Sequence, residues 1–95
     1  MGRLVTRNNT ARFRAEENSL VLDGPMGYYF VVPKEGISEI RQATGRLWKW
    51  SWPLKNGISI YHSVSDVPQK LVFRSCDVSA EHMLNKLKIL KYNVL

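Results

Sequence analysis

The sequence predicts an α+β fold: an antiparallel, strongly bent β-meander or small barrel of about six or seven short strands, packed by one C-terminal helix. Short apolar segments separated by turn residues fill the first three quarters of the chain, and an amphipathic segment of helical period ends it. Of the 95 residues, 44% are hydrophobic and 23% are charged, which is enough apolar surface for one packed core. We therefore expect residues 1–95 to form a single domain.

Four strands are predicted before residue 36, at 4–7, 11–15, 20–22 and 28–32. Each is a short apolar or alternating run bounded by Asn, Asp, Gly or Pro residues. In the second strand, Arg12 and Arg14 alternate with apolar residues, so both guanidinium groups are expected on the solvent face.

Residues 37–44 are compatible with two structures. Ile37, Ile40 and Thr44 recur at helical spacing before Gly45, yet the segment is also short enough for a strand. We predict a strand.

The C-terminal segment predicts a helix over about 80–92. Ser79 is suited to cap its first turn, and Val78 has the spacing to pack on Met83 as a hydrophobic staple. Apolar residues then recur three and four positions apart, at Met83, Leu84, Leu87 and Leu90. The helix is therefore expected to lie on the sheet with its lysines mostly on the other side.

This order of elements is similar to that of a pleckstrin-homology-like barrel, in which a C-terminal helix plugs one end. The likeness is one of element order alone, since we find no family motif in the sequence. It implies an arrangement of strands and helix, and it implies no function.

The most informative segment carries all three tryptophans, which alternate at positions 48, 50 and 52. Asn56-Gly57 follows and predicts a two-residue β-hairpin turn, because both positions of such a turn need positive φ. With this plain turn, the stripe of Trp48, Trp50 and Trp52 shares one face with Tyr61 and Arg46 and forms a platform on which unpaired bases stack.

A bulge at Pro53 gives the other register, since proline donates no hydrogen bond to a sheet. Trp50 then faces His62 in a mostly apolar layer, while Lys49 and Tyr61 lie on the exposed face. Because this register separates apolar from polar residues more cleanly, we expect the tryptophans in the core, with the platform as the alternative.

The formal net charge of +6 and the pI near 9.8 favour an anionic partner. No acidic residue lies between Glu39 and Asp66. The candidate residues for contacting a nucleic acid or another partner are cations and aromatics of these segments: Arg12, Arg14, Arg41, Arg46, Lys49, Trp50 and Tyr61.

These features predict a non-catalytic binding module, with single-stranded DNA or RNA as the partner. The alternative is a protein–protein interaction domain, such as an adaptor or a viral or bacterial inhibitor, that docks on an acidic protein surface through a sheet edge or the aromatic face. A second alternative is a small ribonuclease that uses His62 or His82 with Glu16, Glu17 or a tyrosine as acid and base, and arginines to bind the phosphate. A homo-oligomer is a further alternative, because the predicted sheet has edges.

We expect neither a cofactor nor a metal ion, since two histidines and one cysteine show no ligand spacing. The single cysteine, Cys76, is interpreted as a core residue of a protein in a reducing intracellular compartment, the cytoplasm or nucleus. No membrane partner is expected, because the longest apolar run, 28–32, is far shorter than a membrane span.

Overall fold

The computed structural model describes residues 4–65 and 67–95, which form two antiparallel sheets and a C-terminal helix. The elements are β1 (Leu4–Arg7), β2 (Arg12–Ala15), β3 (Ser19–Asp23), β4 (Tyr29–Pro33), β5 (Ile37–Leu47), β6 (Trp50–His62), β7 (Lys70–Arg74) and α1 (Ala80–Ile89). Strands β1 to β4 form one sheet and β5 to β7 the other, each in sequence order. The predicted α+β class and element order are confirmed, although the two described sheets do not close into a barrel.

The two sheets enclose the core between their inner faces. Phe13 of β2 stacks on Phe73 of β7, with ring centroids 5.2 Å apart. Ala80, Met83 and Leu87 of α1 are buried against the same cluster of apolar side chains. Because Phe13 and Phe73 join the inner faces, the outer faces of the two sheets point away from each other.

The C-terminal helix begins as predicted and ends three residues earlier than expected. It stops at Ile89, and Lys91 adopts a left-handed conformation with φ of 71°. The chain can then turn back to β5, where Ile40 N donates to Asn93 O at 2.8 Å and Leu95 N donates to Ile40 O at 2.9 Å. The last residues leave the helix because they satisfy the edge of β5 instead.

The predicted N-cap forms, and it makes a testable contribution to stability. Ser79 Oγ accepts a hydrogen bond from His82 N at 3.1 Å. We expect Ser79→Ala to lower the free energy of unfolding by about 1 kcal/mol, because the first turn then has an unsatisfied donor. Urea unfolding followed by circular dichroism measures this, with the exposed Ser63→Ala as the control. Equal midpoints for the two variants would contradict the capping role.

Residues 37–44 form a strand, as predicted, but the predicted turn at Asn56-Gly57 is wrong. The turn lies at Trp48 and Lys49, with Leu47 opposite Trp50 on the two strands. β6 continues through Asn56, which has a φ of 58° and lies in a β-bulge. Gln42 and Thr44 of β5 pair with Ile58 and Pro53 of β6, so β6 has extra residues between the two pairs. A bulge and a turn can both use a left-handed residue, so the dipeptide alone does not decide between them.

Candidate functional site

A two-stranded ribbon, residues 44–53, extends β5 and β6 beyond the rest of their sheet. β7 pairs with β6 only from Gly57 to Tyr61, so the ribbon lies past the end of β7. This position also explains Pro53, because one side of β6 has no neighbouring strand there among the described residues. The ribbon therefore projects with no second layer of the described structure over it.

The tryptophans are exposed, which contradicts the expectation that they belong to the core. Trp48 at the turn is 88% exposed, Trp50 is 78% exposed and Trp52 is 43% exposed. Both registers considered from the sequence are wrong, because Trp50 lies opposite Leu47 and Trp52 opposite Gly45. Trp50 and Trp52 remain accessible because their side of the ribbon continues into the outer face of the sheet, away from the core, and Trp48 lies at the turn.

Trp52 is less exposed because its indole lies against the backbone of Gly45. A Cβ atom at Gly45 would be only 2.8 Å from Trp52 Cζ2 and 3.1 Å from Leu54 Cδ2. An aromatic ring that covers a strand glycine in this way fixes the register of the pair. Gly45 thus positions Trp52 on one face of the ribbon.

This face of the ribbon continues into the outer face of the sheet formed by β5, β6 and β7. Leu54 lies next to Gly45 and also next to Gly57, where an added Cβ atom would be 3.5 Å from Leu54 Cβ. A Cβ atom added at Gly57 would also be 3.2 Å from Arg74 Cγ. We call this continuous surface the aromatic-basic face, and it comprises Leu47, Trp50, Trp52, Leu54, Arg74, Arg41, Val72, Tyr61 and Lys70.

A cluster of two cations around one aromatic ring lies at the far end of the aromatic-basic face. Arg41 Cζ lies 5.0 Å from the centroid of the Tyr61 ring, and Lys70 Nζ lies 5.6 Å from it. Tyr61 and Lys70 are direct partners on β6 and β7. Arg41 also forms an ion pair with Glu39 at 2.6 Å, so its charge is partly neutralised.

The seven candidate residues do not form one site. Arg41, Trp50 and Tyr61 share the aromatic-basic face, and Lys49 lies at the ribbon turn. Arg46 pairs with Ser51 and so lies on the opposite face of the ribbon from the indole of Trp50. The expectation that Arg46 joins the tryptophan face is therefore wrong.

Arg12 and Arg14 belong to a different surface. Both lie on β2, on the outer face of the four-stranded sheet, where Arg12 pairs with Arg7 and Arg14 with Val5. That face points away from the aromatic-basic face. Arg14 also lies 3.9 Å from the Glu16 carboxylate.

The candidates chosen from the sequence left out two aromatic residues and two cations of this surface: Trp48, Trp52, Lys70 and Arg74. Trp48 and Trp52 were expected in the core, with the exposed platform as the alternative, and Lys70 and Arg74 were not considered. The signal for the last two is present in the sequence. β7 alternates exposed and buried positions, which is the pattern of a strand with one solvent-exposed face: Lys70, Val72 and Arg74 are exposed, and Leu71 and Phe73 are buried.

His62 is buried within the sheet, and hydrogen bonds engage both of its ring nitrogens. Val64 N donates to its Nδ1 at 3.1 Å, so Nδ1 is the acceptor nitrogen and Nε2–H donates to Pro68 O at 2.5 Å. His62 pairs with Ile37 at the end of β6 remote from Trp50. The interpretation of His62 as a neighbour of Trp50 is therefore wrong, because the turn lies elsewhere.

A polar cluster near the start of α1 has a structural explanation. Asp77 accepts hydrogen bonds from Thr6 and from Ser75, and these bonds lower the pKa of its carboxyl group. The cluster ties β1 to the connection between β7 and α1. Cys76 beside it is exposed, so its interpretation as a core residue is wrong: it follows the end of β7, in the connection that leads to the helix.

An apolar cleft of about 380 Å³ lies between the β1–β2 turn, the β3–β4 connection and β7. Its walls include Tyr28, Phe30 and Phe73, and none of its lining residues is charged. On its polar side, Asn8 Oδ1 already accepts from Thr10 N at 2.8 Å. The cleft therefore offers mainly apolar contact.

Within residues 4–65 and 67–95, no group of three or more His, Cys, Asp or Glu side chains is arranged to hold a metal ion. No helix of the described chain has the length and apolar composition that crossing a membrane requires. Comparison with protein-family models, with curated proteins and with solved structures found no match.

Proposed function

We propose that this protein is a non-catalytic module that binds single-stranded DNA or RNA through the ribbon and the aromatic-basic face. The observation that supports the proposal most is the exposure of Trp48 and Trp50 on a ribbon that also carries Arg46 and Lys49 and no acidic residue. Indole faces stack on unpaired bases, while the cations neutralise phosphates. An intracellular site of action, where the exposed thiol of Cys76 stays reduced, is part of this proposal.

Charge favours a polyanion over a localised acidic patch on a protein. Cations lie along the whole surface, from Lys49 at the turn to Lys70 at the far end of the sheet. A nucleic acid presents a phosphate at every nucleotide and therefore matches a long row of separate cations. Catalysis finds less support, because both ring nitrogens of His62 are engaged within the fold.

The salt dependence of binding tests this proposal. We expect the affinity for a ten-nucleotide oligothymidylate to fall by about 10- to 100-fold between 50 and 200 mM salt, because bound phosphates release counterions. The double variant Lys49→Ala with Arg74→Ala, which removes one cation from the ribbon turn and one from the aromatic-basic face, is expected to bind more weakly and to show a shallower slope. Fluorescence anisotropy of a labelled oligonucleotide measures both quantities.

The control is the double variant Arg12→Ala with Arg14→Ala, which removes the same formal charge from the opposite side of the molecule. Its salt slope should stay close to that of the unmodified protein, since the outer face of β2 does not belong to the site. An oligonucleotide affinity that does not change with salt concentration, or equal losses of affinity in the two double variants, would overturn the proposal. Absence of any oligonucleotide binding at low salt would leave the acidic protein surface as the better partner.

A further inference from the structure

We infer that a strand bound at the ribbon continues along the aromatic-basic face, and that Arg41, Tyr61 and Lys70 hold its phosphate backbone at a second contact point. This inference rests on the proposed function and makes the site bipartite: bases stack on the indoles, and a phosphodiester group binds at the cation cluster. It also defines the ligand as an extended single strand of several nucleotides.

The second contact point has the groups that a phosphate needs. One residue from each of three adjacent strands meets there: Arg41 from β5, Tyr61 from β6 and Lys70 from β7. Both cations lie within 6 Å of the tyrosine ring, at 5.0 and 5.6 Å, and attraction to the ring favours these positions. Lys70 has no ion pair among the described residues, so its charge is available to an anion.

The Glu39 carboxylate must be counted in the same cluster. It lies 2.6 Å from Arg41 and directly opposite Tyr61 on β5. Arg41 therefore supplies hydrogen-bond donors and only part of a charge. We assign the larger electrostatic role to Lys70.

The separation of the two contact points sets the length of strand required. Gly45, the partner of Trp52, and Glu39, the partner of Tyr61, lie six residues apart on β5. At about 3.3 Å per residue, this separation is about 20 Å. A strand stacked as in B-form DNA rises about 3.4 Å per nucleotide, so about six stacked nucleotides, or fewer if the strand is extended, span the gap.

The surface between the two contact points can accommodate the backbone of a strand. Leu54, Gly57, Arg74 and Val72 lie along this part of the face. Val72 is 49% exposed, and Gly57 has no side chain to obstruct a ligand. Arg74 adds a further cation between the ribbon and Lys70.

Oligothymidylates of increasing length test the inference, with Lys70→Glu as the variant. For the unmodified protein, we expect affinity to rise steeply up to about six to eight nucleotides and only slowly beyond. Lys70→Glu should weaken binding of the ten-nucleotide strand about tenfold or more and change binding of a trinucleotide by less than about twofold, because the trinucleotide reaches only the ribbon.

The matched control is Arg7→Glu, which changes the net charge equally on the outer face of the other sheet. Arg7 lies directly opposite Arg12, so the substitution replaces a like-charge pair by an opposite-charge pair and should not unfold the protein. The ten-nucleotide affinity of Arg7→Glu should remain within about twofold to threefold of the unmodified value. Equal losses in the two variants would mean a response to net charge alone and would overturn the second contact point.

Two further outcomes distinguish this inference from the function on which it rests. Affinity that reaches its plateau at three nucleotides, with Lys70→Glu unaffected at every length, overturns the bipartite site and leaves the ribbon as the binding site. Failure of the unmodified protein to bind any length at low salt overturns the proposed function itself. Urea unfolding of each variant confirms that the compared proteins are folded.

Discussion

Replacing Trp50 by serine is expected to weaken binding of a single-stranded oligonucleotide by about tenfold or more, corresponding to the roughly 1–3 kcal/mol of one base–aromatic stack. The same change should leave the free energy of unfolding within about 0.5 kcal/mol, because exposed side chains away from the core contribute little to stability. Trp50 is 78% exposed. Oligonucleotide titration and urea unfolding of the same preparation measure the two quantities.

The control for Trp50→Ser is Tyr29→Ser, which removes an aromatic ring that is 54% exposed on β4 of the other sheet. Tyr29→Ser should bind the oligonucleotide normally. The opposite pattern, in which Trp50→Ser unfolds easily and binds as tightly as before, would mean that Trp50 has a structural role.

Phe13→Ala is expected to lower the free energy of unfolding by about 3–5 kcal/mol. Phe13 is completely buried and stacks on Phe73 from the other sheet, so its removal leaves a cavity where the two sheets meet. A loss of this size is a large fraction of the roughly 5–15 kcal/mol that stabilises a typical domain. Urea unfolding followed by circular dichroism measures it.

Val5→Ala serves as the comparison for Phe13→Ala, because Val5 is 52% exposed on the outer face of the same sheet. It should cost less than about 1 kcal/mol. Similar losses for the two variants would contradict the packing of the sheets through Phe13 and Phe73.

The local signals of the sequence were sufficient for most elements of the fold. Alternation of apolar and charged residues around Phe13 predicted β2 and placed Arg12 and Arg14 on its solvent-exposed face. Ser79 marked the start of the helix. These signals work because each depends on residues only a few positions apart. The end of the helix was not predictable in this way, since it depends on the pairing of Asn93–Leu95 with the distant Ile40.

The hairpin shows the limit of local reasoning. Asn56 does adopt positive φ, as the Asn-Gly pair indicated, but it does so inside a strand. Burial of Ile58 and Ile60 against both neighbouring strands holds that segment in the sheet and moves the turn to Trp48 and Lys49. The choice between turn and bulge therefore depends on tertiary packing, which a dipeptide does not encode.

The site was predictable only in part for the same reason. Lys49, Trp50 and Tyr61 follow from composition and alternation within one segment. That Arg12 and Arg14 face away from them depends on how the seven described strands divide between two sheets, and no local pattern specifies that division. Lys70 becomes a candidate only when β7 is known to pair with β6 beside Tyr61.

Acrylamide quenching of tryptophan emission, measured before and after addition of a ten-nucleotide oligothymidylate, shows whether the exposed indoles of the ribbon bind the strand. We expect red-shifted, readily quenched emission from the free protein, because Trp48 and Trp50 lie largely in solvent, and protection from the quencher once the strand covers the indoles. Blue-shifted emission that resists quenching in the free protein, or emission that remains equally quenchable with saturating oligonucleotide, would contradict this expectation.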